Sequence, residues 1–448
     1  MFQYMKTSEK KEINLLYIVP ELIQMKRMLR APRETLDAVR TGLFRSQMRN
    51  ISQNIPFYSE FFKENKLSLD DFRTLDDIRI LPVIEKRDIR GNPDKFFNAQ
   101  IKREKCYTSH TSGSTGEPFR SYFDRRTWIR KKYFSKLRAR FACGMRSGEK
   151  IVIFATEPPD QVKLSNQKKF PRDLMLKTAF FSVFDDPETS LRRFCEFKPQ
   201  NAYGPPGYFF HLARTAGRKK ISTPFLKRIY TSSEIKINPV FEFIRNIFGV
   251  DIYDIYGSTE FKEVAWECDR HQGYHINEDE IFCEILNTDA PTSKGVVGDI
   301  VLTDLRNRAM PLIRYRIGDK GRMMDKKCSC GRTFALMQPV SGRSSEYILL
   351  PDGRHLSPYL FTTSIEKFPG LLQYQFVQKT KNDLLVKVVL KGDDGRKRNL
   401  SDIEEIVRKI INGAMNIEVE QTRMISAEEN GKFVVVKSLL KDDSHRDQ

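Results

Sequence analysis

The sequence predicts an α/β protein with two parts: a large N-terminal domain whose mixed and parallel sheets are covered by helices, and a small C-terminal α+β domain. Three observations predict this fold class. The 448 residues are too many for one simple core. From Thr108 onward, short apolar stretches alternate with amphipathic stretches, which is typical of a largely parallel sheet covered by helices. Beyond Gly342-Arg343 the pattern changes to β-like stretches around a single helix.

The elements of the large domain follow in chain order. Residues 1 to about 105 are polar and predict a helical segment. Arg126 to Cys143 predicts a helix, because apolar residues recur every four positions and Gly144 follows. The other clear elements are a strand at Ile151–Ala155, a helix that starts at Asn238-Pro239 and stops at Gly249, and a strand at Val250–Tyr256.

The C-terminal residues 344–448 predict a separate small domain, which we expect to be mobile. Its helix begins with a capping box from Ser401 to Glu404 and ends at Gly413. Strand-like stretches are Gln373–Gln378, Leu384–Leu390, Ile417–Thr422 and Phe433–Leu439. We therefore divide the chain into a large domain over 1–343, with its core over about 106–343, and the small domain.

Charge and composition narrow the classes of function. The 77 Lys and Arg against 58 Asp and Glu leave a formal net charge of +19, which suits a polyanionic partner. The basic residues are scattered among acidic ones, so we expect a cationic surface and no nucleic-acid partner. The apolar run Ile13–Ile23 is too short to span a bilayer, and we expect no transmembrane segment. Seven unevenly spread cysteines predict a reducing cytoplasm, and a homodimer stays open as an assembly.

The strongest single motif is the run Thr108 to Pro118, which is rich in hydroxyl groups and glycine. Glycines allow backbone N–H groups to approach phosphates, and hydroxyl groups can donate to phosphate oxygens. The run is not a Walker loop, because no Gly-Lys-Ser/Thr ends it. Taken alone, such a run is more often a flexible surface loop than a phosphate-binding loop.

With the motifs that follow it, this loop resembles the adenylate-forming superfamily, and within it the phenylacetate–CoA ligase branch and its capsule-biosynthesis relatives. The resemblance covers nearly the whole chain. The motifs that carry it are the loop, Ile55-Pro56-Phe57-Tyr58, Leu75-Asp76-Asp77-Ile78, Leu81-Pro82, Asp254-Ile255-Tyr256-Gly257-Ser258-Thr259-Glu260, Tyr315-Arg316-Ile317-Gly318-Asp319, Gly342-Arg343 and Gly431-Lys432.

The resemblance implies an enzyme that uses ATP, Mg²⁺ and CoA. A carboxylic acid, expected to be aryl or otherwise apolar, reacts with ATP to give acyl-AMP and pyrophosphate, and CoA then displaces AMP. One alternative passes the acyl group to an amine or hydroxyl in surface-polysaccharide or secondary metabolism. Another is a relative that binds nucleotide without catalysis.

The resemblance also implies which residues bind the nucleotide. Tyr256 would pack against adenine, and Asp254 would accept from the adenine amino group. Asp319 would take the ribose hydroxyls, and Arg343 would help position the nucleotide. The remaining expected nucleotide-binding residues are Thr111, Ser112, Gly113, Ser114, Thr115, Gly116, Ser233, Glu234, Gly257 and Ser258.

Three residues are expected to act in the adenylation step. Thr259 would donate to the α-phosphate, and Glu260 would be a hard oxygen ligand for Mg²⁺. Lys432 would stabilise the charge that builds when a carboxylate attacks the α-phosphorus, which requires the small domain to close. Two positions depart from the family: Ser345 stands at a usually acidic pivot, and Phe119 stands where many members carry lysine.

Two further groups complete the predicted site. The acyl pocket is expected at Tyr203, Gly204, Pro205 and Ser232, which resemble pocket loops of relatives. Four ligands in two close pairs suit a tetrahedral structural zinc, as in some members of the branch. They are Cys268, His271, Cys328 and Cys330, with His275 as an alternative to His271.

Overall fold

The structure is a computed structural model, and it describes residues 15–110, 119–155, 162, 177–234, 236–341, 348–352, 355–356, 365, 368–391, 400–428 and 433–440. The chain forms two compact units. Unit 1 is built from Ser147–Ile252 and Ser341–Gln448, and unit 2 from Phe2–Arg146 and Tyr253–Val340. This grouping is not a test of the predicted boundary after residue 343, which stays a prediction.

The helices lie in both units. Short 3-10 turns lie at Leu69–Asp71, Leu75–Ile80 and Arg103–Lys105, and a π-helical turn at Arg130–Ser135. None of the helices in the described part of the chain is long and apolar enough to cross a membrane. The α-helices are α1 (Leu15–Met28), α2 (Arg33–Asn54), α3 (Pro56–Glu64), α4 (Lys86–Gly91), α5 (Arg125–Ile129), α6 (Lys136–Ala142), α7 (Pro187–Phe197), α8 (Pro206–Lys219), α9 (Asn238–Phe248) and α10 (Leu400–Ile410).

The strands occur in both units. They are β1 (Tyr107–His110), β2 (Arg120–Phe123), β3 (Lys150–Ala155), β4 (Lys177–Ser182), β5 (Asn201–Gly204), β6 (Arg228–Ser232), β7 (Asp251–Ser258), β8 (Lys262–Glu267), β9 (Tyr274–Ile276), β10 (Ile281–Asn287), β11 (Ala290–Pro291), β12 (Gly298–Asp304), β13 (Tyr315–Met323), β14 (Leu336–Ser341), β15 (Ile348–Leu349), β16 (His355–Leu356), β17 (Leu371–Gln378), β18 (Asp383–Leu390), β19 (Asn416–Gln421) and β20 (Val436–Ser438).

Unit 1 combines a parallel sheet with the C-terminal sheet. Strands β4-β3-β5-β6 lie side by side and are parallel. The C-terminal strands have the order β19-β18-β17-β20. The central strands β17 and β18 are antiparallel, β20 is parallel to β17, and β19 is parallel to β18. Buried side chains of α8, α9, β17 and α10, such as Phe210, Ile244, Phe376 and Val407, form one continuous core. Apolar burial of this kind is the main stabilising term of the unit.

Unit 2 is dominated by antiparallel strands. Their order is β11-β10-β12-β13-β14-β9-β8-β7, and α2, α3 and the 3-10 turn at Leu75–Ile80 contribute to the same core. Phe44, Ile51, Ile78, Ile300 and Tyr315 are among its buried side chains. Strands β1 and β2 form a separate antiparallel hairpin.

The predicted fold class is confirmed, with three local corrections. Ser401 lies inside α10, which already includes Leu400, so Ser401 does not cap that helix. The apolar stretch Met310–Ile317, which the sequence also predicts as a strand, enters one only at Tyr315, and that strand continues to Met323. The strand expected over 433–439 is confined to Val436–Ser438. For the two strands, apolar composition predicts burial, while backbone pairing decides where a strand begins and ends.

Candidate active site

The predicted adenine-binding residues lie on β7 in unit 2. The Asp254 side chain is buried, and its Oδ2 accepts a hydrogen bond from the Tyr274 hydroxyl at 2.8 Å. Burial, together with the negative charge of Asp254, raises the pKa of Tyr274, so this hydroxyl stays protonated and donates. The Asp254 amide in turn donates to Glu267 Oε2 at 3.0 Å. These bonds hold the end of β7 in one conformation.

Tyr256 and Asp319, which are 63 positions apart in the sequence, are brought into direct contact. The Tyr256 hydroxyl donates to Asp319 Oδ2 at 2.7 Å. Asp319 lies on β13 beside an irregularity, where three residues, 317–319, stand opposite the single residue Ile300 of β12. Gly318 has a φ of +90° at this bulge, a conformation that favours glycine. The ring predicted to pack on adenine and the carboxylate predicted to hold the ribose are therefore neighbours.

Gly257 and Ser258 shape the turn that follows. A Cβ atom on Gly257 would lie 2.3 Å from the carbonyl oxygen of Lys262, so only glycine allows β7 and β8 to approach this closely. The pairing register between β7 and β8 shifts between Tyr256 and Gly257. Ser258 Oγ accepts from the Phe261 amide at 3.1 Å and so closes the turn that contains Thr259 and Glu260. Glu260 is buried, with 7% of its surface exposed.

Lys262 is a candidate functional residue that the sequence analysis missed. Its Nζ donates to Ser109 Oγ on β1 and lies 5.5 Å from the centre of the Phe123 ring and 5.3 Å from that of Trp128. Burial, and then the positive charge of Lys136, lower the pKa of Lys262 to about 7. Its φ of 64° is also unusual for a residue with a side chain. The signal in the sequence was a lysine two positions after Glu260, the predicted Mg²⁺ ligand.

Ser109 lies on β1 within the Thr108–Pro118 motif, two positions before Thr111. Strands β1 and β2 pair in the register Ser109↔Ser121 and His110↔Arg120, so they bring both ends of the loop together. Phe119, at the position where many family members carry lysine, is buried and stacks on Tyr315 with ring centres 6.4 Å apart. The predictions for Thr111, Ser112, Gly113, Ser114, Thr115, Gly116, Arg343, Ser345 and Lys432 lie outside the described residues.

The residues predicted to line the acyl pocket lie at one edge of the parallel sheet in unit 1. Tyr203 and Gly204 end β5, Pro205 precedes α8, and Ser232 ends β6. Because neighbouring parallel strands end at the same edge, these residues are close in space, and such edges commonly bind ligands. A Cβ atom on Gly204 would lie 2.8 Å from Phe154 Cβ, so a larger residue would push β5 away from β3.

Ser233 and Glu234 follow directly after β6. Ser233 has a φ of +81°, which is uncommon outside glycine. The two Glu234 oxygens accept from backbone amides: Oε2 from Gly207 and Oε1 from Phe433, both at 2.8 Å. The structure thus places Glu234 in contact with protein backbone, and its predicted role in nucleotide binding stays a prediction.

A cluster of potential metal ligands lies in unit 2. Cys268, His275, Cys328 and Cys330 offer ligand atoms that all lie within 4.8 Å of one another. The Sγ atoms of Cys268 and Cys328 are 3.5 Å apart, and Cys330 Sγ is 3.4 Å from His275 Nε2. Tetrahedral zinc with Zn–S bonds of about 2.3 Å places its ligands about 3.5–3.8 Å apart. The donor set and its spacing therefore fit zinc.

The structure brings His275, the alternative ligand, into this cluster, and not His271. The His271 ring stacks on Tyr253, and its Nδ1 lies 3.6 Å from Glu267 Oε2. Burial lowers the pKa of His275 to about 4, which keeps its imidazole neutral, as a metal ligand requires. Burial alone would raise the pKa of the Cys330 thiol, but hydrogen bonds with Arg332 outweigh it and lower that pKa. Spacing alone could not choose between the two histidines, because β9 pairing decides which ring faces the cysteines.

The chain has the fold of adenylate-forming CoA ligases. A solved 2-hydroxyisobutyryl-CoA ligase, in its postadenylation state with a bound acyl-AMP, superposes with a TM-score of 0.77. It is 18% identical, and the match covers 92% of this chain and 91% of that one.

More specifically, the chain is a homologue of the phenylacetate–CoA ligases and of Protein CapK, which confirms the predicted resemblance. The phenylacetate-coenzyme A ligase of Thermus thermophilus is 26% identical over 365 residues, covering 79% of this chain and 80% of that ligase. Protein CapK of Staphylococcus aureus is 23% identical over 371 residues, covering 80% of this chain and 78% of that protein. Residues 348–439 match the family model of the CapK C-terminal domain.

Proposed function

We propose that this chain is an AMP-forming acid–CoA ligase that activates an aryl or otherwise apolar carboxylic acid. ATP and the acid give acyl-AMP and pyrophosphate, and the CoA thiol then displaces AMP to form the thioester. The contact between the Tyr256 hydroxyl and Asp319 is the observation that carries the proposal. The aromatic ring is suited to packing on a purine, and the carboxylate is suited to accepting from ribose hydroxyl groups. The hydrogen bond places these two groups next to each other in unit 2.

The roles of the chain's own residues follow from their chemistry. Tyr256 would bind and orient the base, while Asp319 would accept the ribose hydroxyl groups. Thr259 would donate to the α-phosphate. Lys432 would stabilise the negative charge that grows where the attacking carboxylate meets the α-phosphorus, because an ammonium group there lowers the repulsion between two anions.

Two metals accompany this proposal. Glu260, buried in the turn after β7, would be a ligand of Mg²⁺, which when bound neutralises charge on the triphosphate. We also propose that Cys268, His275, Cys328 and Cys330 hold a structural zinc. Four protein ligands leave no open position for catalysis, so the zinc would fasten two loops to each other. The seven free cysteines are in keeping with a reducing cytoplasm.

A second candidate differs only in the acceptor. In it the acyl group passes to an amine or hydroxyl group instead of CoA, as the resemblance to capsule-biosynthesis ligases implies. The similarity to Protein CapK, and the match of residues 348–439 to the CapK C-terminal domain, are the reason to test this acceptor. Both candidates share the adenylation step. They differ in whether thioester appears when CoA is supplied.

The test is ATP–pyrophosphate exchange with a panel of carboxylic acids that includes phenylacetate, followed by AMP release with and without CoA. We expect exchange with at least one aryl or apolar acid, and thioester only with CoA. Lys432→Ala should lower exchange by about 100-fold or more while ATP binding is nearly kept, because the lysine acts mainly in the transition state. A panel without exchange would support the non-catalytic alternative. ATP–pyrophosphate exchange without thioester formation in the presence of CoA would support the second candidate, in which an amine or hydroxyl group accepts the acyl group.

A further inference from the structure

Glu234 connects two segments of unit 1 that are distant in sequence. Its Oε2 accepts from the amide of Gly207 in the first turn of α8, and its Oε1 accepts from the amide of Phe433, both at 2.8 Å. Hydrogen bonds to an ionised carboxylate are about twice as strong as neutral ones. The first turn of a helix also carries unpaired N–H groups and positive partial charge, which favour a carboxylate.

The packing around these bonds leaves little freedom. A Cβ atom on Gly207 would lie 3.0 Å from Phe433 Cβ and 3.1 Å from Glu234 Oε2, so glycine is needed for α8 to approach this closely. Ser233, just before Glu234, adopts the left-handed φ of +81°. Residues with side chains seldom adopt this conformation unless the surroundings enforce it, and they concentrate at functional sites.

The segment 433–435 is held from the other side as well. The Phe433 side chain is buried in the core of unit 1. Gln375 Nε2 donates to the Val434 carbonyl at 3.0 Å, and the Phe376 amide donates to the Val435 carbonyl at 2.8 Å. From Val436 the segment continues as β20, parallel to β17. Glu234 is thus the contact that fixes the first amide of this segment.

That amide nitrogen is bonded to the carbonyl carbon of Lys432, the residue we propose for the adenylation step. We therefore infer that Glu234 is a positioning residue that fixes the backbone next to Lys432 for attack of the acid on ATP. This inference rests on the proposed function. Thiolysis of acyl-AMP does not bring a carboxylate to a phosphate, so it should depend far less on Glu234.

Three variants test the contact. Glu234→Gln keeps the size of the side chain but turns one of its two acceptors into a donor. Gly207→Ala adds a methyl group beside Phe433 and Glu234. The matched control is Gly217→Ala in the same helix, whose added methyl group would meet only the flexible end of Ile247 at 3.0 Å.

The first measurement is amide hydrogen exchange of the peptide that contains Phe433, and it does not depend on activity. We expect faster exchange in Glu234→Gln and Gly207→Ala than in the wild type and in Gly217→Ala. The second is catalysis in both half-reactions with phenylacetate as the probe acid. Glu234→Gln should lower ATP–pyrophosphate exchange by about tenfold or more, and it should lower the CoA thiolysis of synthetic phenylacetyl-AMP far less.

The outcomes are distinct. If the wild-type protein exchanges pyrophosphate and Glu234→Gln does so at the same rate, the positioning role is excluded. Equal losses in both half-reactions, or the same losses in Gly217→Ala, indicate general destabilisation and also overturn the role. If the wild type itself catalyses no exchange with any acid of the panel, the proposed function fails, and amide exchange still decides whether Glu234 holds Phe433.

Discussion

Lys262 shows how one residue can act against stability at a site. Its ammonium group is buried between Phe123 and Trp128 and donates to Ser109 next to the predicted phosphate loop. A buried ammonium group is disfavoured in its charged form, which is why its pKa is lowered to about 7. Retention of such a residue, with a strained φ, is typical of a position that serves binding or catalysis.

We expect Lys262→Met to raise the free energy of unfolding at pH 6 by about 1 kcal/mol, while ATP–pyrophosphate exchange falls. Below pH 7 the lysine is protonated in both the folded and the unfolded state, so the folded state carries the whole penalty of burying the charge. Between pH 7 and about 10.4 only the unfolded state binds the proton, and the stability of the wild type therefore rises with pH. The gain from methionine should accordingly shrink between pH 6 and pH 9 in chemical denaturation.

The matched control is Lys105→Met, because Lys105 is exposed. Its effect on the free energy of unfolding should be small and nearly the same at pH 6 and pH 9. A Lys262→Met gain that does not change with pH would contradict the burial argument.

At the scale of elements, the β7–β8 hairpin places the nucleotide residues through a close backbone approach. Gly257→Ala would put a methyl group 2.3 Å from the Lys262 carbonyl oxygen, so the two strands must separate. We expect a loss of about 1–3 kcal/mol in the free energy of unfolding, measured by denaturant titration, together with weaker ATP binding.

Gly42→Ala is the control for this change. Gly42 lies within α2, and an added Cβ atom there meets nothing within 4 Å. Since alanine favours a helix over glycine by about 1 kcal/mol, this variant should be as stable as the wild type or more so. If Gly257→Ala behaved in the same way, the close approach of β7 and β8 would not be needed.

The cysteine cluster joins the β8–β9 region to the loop before β14, and zinc there should act at the same scale. We expect about one zinc per chain in protein purified without chelator. His275→Ala should lose zinc and melt at a lower temperature, whereas His271→Ala should keep zinc because its ring lies outside the cluster. Elemental analysis measures the zinc content of each variant, and thermal melting measures its melting temperature.

Cys195→Ser provides the control, since Cys195 is a free cysteine of α7 outside the cluster. It should keep its zinc and its melting temperature. Zinc loss in His271→Ala with retention in His275→Ala would reverse the assignment of the fourth ligand.

At the scale of the whole molecule, unit 2 contains a buried network of ion pairs that joins α1 to the turn between β9 and β10. Asp279 is fully buried, and its Oδ2 lies 2.8 Å from Arg138 Nη2 and 3.2 Å from Arg130 Nη2. Arg130 also pairs with Glu21 of α1 and Glu280. Burial alone would raise the pKa of Asp279, but Arg138 and Arg130 outweigh it and hold this pKa well below its ordinary value.

We expect Asp279→Asn to lower the free energy of unfolding by about 3–5 kcal/mol at neutral pH, since it leaves buried arginines without their partner. The carboxylate stabilises the fold above its unfolded pKa of about 3.9, and this contribution is lost as pH falls towards the lowered folded value. The destabilisation should therefore be smaller at pH 3 than at pH 7. Denaturant titrations at both values measure it.

Asp76→Asn is the control, because Asp76 is 70% exposed and pairs with Arg79 only at the surface. Such pairs contribute about 0–1 kcal/mol. A loss for Asp279→Asn no larger than for Asp76→Asn would show that the network is not a stabilising feature of unit 2.

Much of the fold follows from local sequence alone. The helix over 126–143 and the strand over 151–155 are recovered within one residue, and α9 stops at Gly249 with a left-handed φ of 67°. These elements depend on periodic apolar residues and on local capping, which are encoded within about ten neighbouring positions. The order of the family motifs could likewise be read from the sequence without any structure.

Only the tertiary structure decided which distant residues meet. The bulges beside Tyr256 and Asp319, the choice of His275 over His271, the burial of Lys262 and the double hydrogen bond of Glu234 all depend on strand register and close approach. Register is set by the pairing of whole strands, and a shift of one residue turns every side chain to the other face. Local pattern therefore determines the elements and the chemistry that they carry, while long-range pairing determines which of those groups come into contact.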